Sequence, residues 1–120
     1  MQTHYQLSLH TLLTIRSVSN PKLTDLNAWL KLMEEQISRH GLQSLGHIGH
    51  SFSGFGGYTA VHCLTESHIS IHTWPEFGLC TCDVFLSNFE KDNDQVVREI
   101  TGSILSYFES GSYDLNEIKR

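Results

Sequence analysis

The spacing of apolar and polar positions changes along the chain, and each change marks an element. Residues 3–9 alternate, with Tyr5, Leu7 and Leu9 on one side and Gln6, Ser8 and His10 on the other, which predicts a half-buried strand. Asn20-Pro21 then interrupts. From Leu23 the period becomes helical: Leu23, Leu26, Leu30, Met33 and Ile37 form a stripe beside Trp29, with Lys31, Glu34, Glu35 and Arg39 opposite. Thr24 or Asp25 suits the N-cap, and Gly41 the stop. Residues 42–50 read as a weaker strand.

Residues 51–57 are the most Gly- and Ser-rich window, and they carry two aromatics, Phe52 and Phe55. Glycines there permit unusual backbone angles and let a ligand approach the main chain. Strands are expected over 58–64, 69–74 and 79–86, with a turn at Pro75-Glu76-Phe77-Gly78. A polar connection at 89–93 leads to a second helix, capped by Asn93 or Asp94, with Val96, Val97, Ile100, Ile104, Leu105 and Phe108 on its apolar side. Gly111 ends it, and residues 112–118 alternate as a terminal, edge-type strand. Strand, helix, several strands, helix, strand predicts an α+β two-layer sandwich, a mostly antiparallel sheet with two helices packed on one face. The other face needs cover, and a symmetric dimer is one way to supply it.

Composition narrows the function. At 120 residues the chain is one domain, residues 1–120, with a single core. A net charge of -5 with no basic run argues against nucleic acid as a partner. No apolar run is long enough to span a bilayer, so no membrane partner is expected. Three cysteines, Cys63, Cys80 and Cys82, cannot all pair within the chain, and the start has no secretory pattern, so a reducing, cytoplasmic setting is expected.

The densest chemistry lies in Glu66-Ser67-His68-Ile69-Ser70-Ile71-His72-Thr73-Trp74-Pro75-Glu76. A Glu–Ser bond precedes a β-type run with two histidines, and a carboxylate follows the proline. This stretch resembles the signature of the prokaryotic S-adenosylmethionine decarboxylases, and the element order and chain length also fit that family. The resemblance implies a self-cleaving proenzyme. The Ser67 hydroxyl attacks the Glu66 carbonyl, the acyl group shifts from nitrogen to oxygen, and β-elimination releases Glu66. A β chain of residues 1–66 and an α chain of residues 67–120 result, the latter blocked by a pyruvoyl group derived from Ser67. That group is an electrophile and electron sink in place of pyridoxal phosphate.

The resemblance also assigns roles. His72 is the base that assists elimination, and Thr59 stands near the serine that aids processing. Glu76 matches the glutamate that holds the ribose hydroxyls. His50-x-Phe52 resembles a His-x-Phe whose ring stacks on adenine, and Ile69 joins the substrate-binding set. Ser87 stands where the family has the cysteine that reprotonates the product carbon, and Ser8 where the first strand has an Asp. A hydroxyl is a far weaker acid than a thiol. The even-numbered Cys80 and Cys82 face away from Ser87 along an extended strand.

The leading expectation is therefore a pyruvoyl-dependent carboxy-lyase of polyamine synthesis. It would act on S-adenosylmethionine to supply aminopropyl groups for spermidine, as a homodimer of cleaved protomers. Because Ser87 replaces the cysteine, L-ornithine or L-arginine is the alternative substrate. An uncleaved, non-catalytic partner subunit is the alternative from another class. A zinc site at His68 and His72 has low prior weight, because the run reads as strand and no third ligand has a telling spacing; no metal is expected. His4, His10, His40, His47 and His62 read as surface or satisfied residues, and the cysteines as small buried hydrophobes.

Overall fold

A computed structural model describes residues 4–89 and 91–120. The elements run β1 (Leu9–Arg16), α1 (Asn20–Thr24), α2 (Leu26–Arg39), β2 (Ser44–Ser51), β3 (Tyr58–Leu64), β4 (Ser67–Trp74), a 3-10 turn (Pro75–Phe77), β5 (Leu79–Phe85), α3 (Asp94–Phe108) and β6 (Ser112–Lys119). All six strands form one antiparallel sheet in the order β2-β3-β4-β5-β1-β6. The expected α+β sandwich is what the chain forms, with β6 at an edge as its pattern predicts.

Two expectations need correction. The first strand lies not at 3–9 but at Leu9–Arg16, and residue 3 falls outside the described residues. Tyr5 and Leu7 are exposed. Their alternation is real but has no core to face. Leu9, Leu13 and Ile15 are the buried apolar positions, and β1 sits between β5 and β6. The first helix is also two. Asp25 breaks the chain after α1 and caps α2, its carboxylate accepting the Ala28 amide at 3.0 Å, a contact of the kind that satisfies a helix's free N–H groups. Leu23 therefore belongs to α1, while Trp29, Met33 and Ile37 carry the buried stripe of α2.

The pleat divides every strand between two faces. Leu9, Leu13 and Ile15 of β1, Tyr58, Ala60 and Leu64 of β3, Ile69 and Ile71 of β4, and Cys80, Cys82 and Val84 of β5 make the buried core beneath the helices. Trp29 of α2 stacks on Phe108 of α3 with ring centroids 6.0 Å apart. Thr11 of β1 bonds Thr101 of α3 at 2.8 Å, which pins that helix across the sheet.

Three smaller readings also change. Cys63 alternates onto the opposite face and is exposed, not buried. His62 is not a surface residue: it is 1% exposed, and neither ring nitrogen has a partner. His10 is buried too, with Nε2 3.3 Å from the Asp83 carboxylate. Among the described residues no helix is long and apolar enough to cross a membrane.

Candidate active site

The hairpin between β3 and β4 is closed by two residues, Thr65 and Glu66, with Leu64 paired to Ser67. Closing so short a turn puts Glu66 at φ 55°, in the left-handed region. A side chain there costs about 1–2 kcal/mol, so the residue on the acyl side of the Glu66–Ser67 bond is strained. Ser67 opens β4. Its Oγ donates to the Thr65 carbonyl at 3.1 Å and accepts the Ser87 amide N–H at 3.0 Å. Ser67, Glu66 and Ser87 line one cavity of about 560 Å³, beside Gln43 and Asn93. The Ser87 hydroxyl accepts the Phe89 amide at 3.1 Å. The buried amide oxygen of Asn93 has no partner.

A second cavity, about 510 Å³, lies at the other end of β4. It gathers Phe52, Phe55, Thr59, His72, Trp74 and Glu76. Thr59 and His72 are paired across β3 and β4, with Thr59 Oγ1 2.6 Å from His72 Nδ1. The Thr59 hydroxyl also lies 3.2 Å from the Ile71 carbonyl. With its one proton given to that carbonyl, the hydroxyl accepts from Nδ1–H, and Nε2 is left as the ring's acceptor nitrogen. The His50 ring meets Phe52 edge-on at 4.7 Å, which orients an aromatic that is itself exposed. Glu76 is presented by the 3-10 turn and is exposed.

The predicted site residues thus fall into two groups. Ser67, Glu66 and Ser87 share one cavity; Phe52, Thr59, His72 and Glu76 share the other. Five residue steps along the strand separate Ser67 from His72, about 17 Å at the usual rise, and odd and even positions point to opposite faces. A single chain does not bring them together. Ile69 leaves the substrate-binding set: it is an odd position of β4, 0% exposed, inside the core. Cys80 and Cys82 are likewise buried against the helices, and burial pushes the Cys82 thiol up. Neither serves the Ser87 position.

Several contributors escaped the sequence reading. Thr73 is buried, and its hydroxyl donates to the Leu23 carbonyl and accepts the Tyr58 amide, both at 2.8 Å. It thereby sews α1 and the end of the glycine loop onto β4. Gly57 lies so close that a Cβ there would stand 2.8 Å from the Thr73 carbonyl oxygen. The glycine cluster was legible as a loop, but not which glycine the packing requires. Asn88 and Asn93, which fasten the Ser87 loop, look in sequence like ordinary turn residues.

Comparison with known proteins settles the lineage. A profile of the S-adenosylmethionine decarboxylase family matches residues 9–120. The chain belongs to the S-adenosylmethionine decarboxylase family. An S-adenosylmethionine decarboxylase proenzyme of Methanococcus maripaludis is 32% identical over 115 residues, which are 96% of this chain and 90% of that one. The proenzyme of Persephonella marina is 39% identical over 79 residues, 66% of this chain and 59% of that one. The crystal structure of the adenosylmethionine decarboxylase of Aquifex aeolicus superposes with a TM-score of 0.85 at 26% identity, covering 98% of this chain and 92% of that one.

Proposed function

We propose that the chain is a self-cleaving, pyruvoyl-dependent decarboxylase of S-adenosylmethionine serving polyamine synthesis, with its site completed between two copies. The observation that carries the reading is the placement of Ser67. It stands directly after a strained turn residue, with its hydroxyl oriented by two backbone groups and facing a cavity. Strain in Glu66 favours opening of the bond that follows it. A serine so placed fits the making of a pyruvoyl group. Once formed, such a group supplies a ketone beside an amide carbonyl, an electron sink for the loss of carbon dioxide from an amino acid.

The remaining roles belong to side chains of the chain itself. Thr59 holds the His72 imidazole through Nδ1 so that Nε2 accepts a proton. Phe52, steadied by His50, offers a ring for the flat base of a nucleoside, and Glu76 at the same cavity offers a carboxylate for hydroxyl groups. A bare diamino acid has no use for the ring, which favours the nucleoside substrate. Ser87 stands beside Ser67 at the proton-donor position.

The separation of the two groups supports a homodimer. A two-fold axis perpendicular to the strands reverses their direction, so the His72 end of one copy can meet the Ser67 end of the other, twice. The sheet face away from the helices, on which His72 lies, leaves Val61, Trp74 and Ile118 at least partly exposed and offers a second copy an apolar surface, while Ser67 stands at the strand's other end. The three free cysteines are in keeping with a cytoplasmic protein.

The test is intact mass followed by carbon dioxide release. Purified protein should give two fragments, ending at Glu66 and beginning at a blocked residue 67, and Ser67→Ala should remain whole. The cleaved protein should release carbon dioxide from S-adenosylmethionine rather than from L-ornithine or L-arginine. A chain that stays whole at 120 residues overturns the reading and leaves the partner-subunit alternative.

A further inference from the structure

We infer that Asn88 is a positioning residue for self-cleavage. Through a clamp of hydrogen bonds it aims the Ser87 amide N–H at the Ser67 oxygen that must leave when the internal ester is eliminated. The inference rests on the reading that the Glu66–Ser67 bond is cut.

Cleavage at Ser67 needs two steps. In the first, Oγ adds to the Glu66 carbonyl carbon, the carbon–nitrogen bond breaks, and the nitrogen takes up a proton. Glu66 is then joined to Ser67 through an ester. In the second, the Ser67 Cα loses its proton and that electron pair forms the Cα–Cβ double bond. The Cβ–Oγ bond breaks, and its pair goes to Oγ, which departs as one oxygen of the Glu66 carboxylate. Negative charge therefore develops on Oγ in the second step. A fixed N–H donor aimed at that atom favours the transition state over the ester. The Ser87 amide is such a donor, 3.0 Å from Oγ.

An isolated loop amide would not hold that aim. Here the donor directly follows the end of β5 and the buried Leu86, and the loop is tied immediately after it. The Ser87 carbonyl accepts Asn93 Nδ2 at 2.8 Å. The Asn88 amide donates to Ser8 Oγ at 2.8 Å. The Asn88 side chain uses both of its ends. Oδ1 accepts the Asn93 amide at 2.7 Å, and Nδ2 donates to Asp94 Oδ1 at 2.9 Å and to the Leu7 carbonyl at 3.0 Å. Asp94 Oδ1 also accepts the Leu9 amide at 3.1 Å, and Lys119 reaches its other oxygen. Asn88 therefore joins the end of β5 to the starts of β1 and α3. Three of its side-chain contacts and one backbone contact converge on a single short loop whose purpose in packing is slight, since Ser87 and Asn88 are only half-buried.

The test follows the ester rather than the final activity. Wild type, Asn88→Ala and Ser8→Ala are made, and samples taken over time are split, with and without hydroxylamine, before intact-mass measurement. Hydroxylamine opens the ester, leaving a hydroxamate on Glu66 and a free serine at residue 67, and spares the amide. Both variants are expected to finish cleavage at least about tenfold more slowly and to accumulate the hydroxylamine-sensitive form, which wild type passes through without build-up. If Asn88→Ala does not fold, Ser8→Ala, which removes one acceptor of the same clamp, decides alone.

Thr11→Ala, which loses the remote bond to Thr101, serves as the stability control and should show no ester. Variants that cleave at the wild-type rate, or that slow with only the hydroxylamine-resistant chain present, overturn the inference. So does the same ester in Thr11→Ala. A wild-type chain that never cleaves overturns the cleavage reading itself, and this inference with it.

Discussion

His62 gives the most direct measurement of how this sheet is built. Its ring is buried between β3 and α2, 5.1 Å from the ring of His47, and neither nitrogen has a partner. Burial, and then the neighbouring His47, lower its pKa from 6.5 to about 4. Between those values the unfolded chain binds a proton that the folded chain does not. The contribution is fully present above the ordinary histidine value and is lost as pH falls toward 4. With a folded value of about 4, linkage gives a loss of about 2 kcal/mol between pH 7.5 and pH 5 from this group alone. Burial and His10 shift His68 in the same direction, so the total slope of the protein is not the quantity to read.

The quantity is the difference made by His62→Leu, which removes the titrating ring and leaves an apolar side chain of similar reach. Urea unfolding followed by tryptophan fluorescence, at pH 7.5 and pH 5 and at fixed protein concentration, supplies it. The background is Ser67→Ala, so that one covalent chain unfolds. The variant should lose about 2 kcal/mol less than its parent over that interval. It should be little weakened at pH 7.5, because replacing an unpartnered polar group with an apolar one removes a desolvation cost of about 1–3 kcal/mol. Equal losses in the two proteins would show that the ring is solvated or hydrogen-bonded in the folded state, and the burial argument would be wrong.

Other outcomes follow from the second cavity. Thr59→Val removes the hydroxyl from His72 Nδ1 and should slow cleavage about tenfold or more, while Thr59→Ser should not; time-resolved intact mass separates them, and equal rates would remove Thr59 from the mechanism. Gly57→Ala places a methyl group 2.8 Å from the Thr73 carbonyl oxygen and 2.9 Å from Pro75 Cδ. It should cost about 1–3 kcal/mol in urea unfolding and raise KM through the displaced loop. Phe52→Ala and Glu76→Gln should each raise KM for S-adenosylmethionine by about tenfold, the equivalent of 1.4 kcal/mol, with a smaller effect on kcat. Unchanged KM in both would move substrate binding elsewhere.

Most of the sheet was legible because its strands carry their own punctuation. Strand β3 coincides with its predicted span, and β5 differs by one residue, since Gly56-Gly57 marks the start of one and the turn at 75–78 the start of the other. The first strand was misplaced because alternation marks a pleat, not a partner. Residues 5–9 alternate well enough, yet Tyr5 and Leu7 stay exposed, and the paired strand with its buried apolar side chains begins only at Leu9. His62 was missed for a related reason: a histidine between an exposed valine and an exposed cysteine looks polar until the register shows which face is covered.

The candidate site was legible as chemistry but not as geometry. One uninterrupted motif holds Ser67, His72 and Glu76, and nearness in sequence suggests one reaction centre. A strand does the opposite. Each residue advances about 3.3 Å and turns the next side chain over, so Ser67 and His72 stand at different ends and on different faces of β4. Meanwhile Ser87, twenty residues away in sequence, lies in hydrogen-bond contact with Ser67 because β5 returns antiparallel beside β4. The motif is better understood as two half-sites joined by a rigid rod. In the proposed dimer its length sets the offset that a second copy must match, so an alteration in strand register is expected to disable both halves without touching any reactive group.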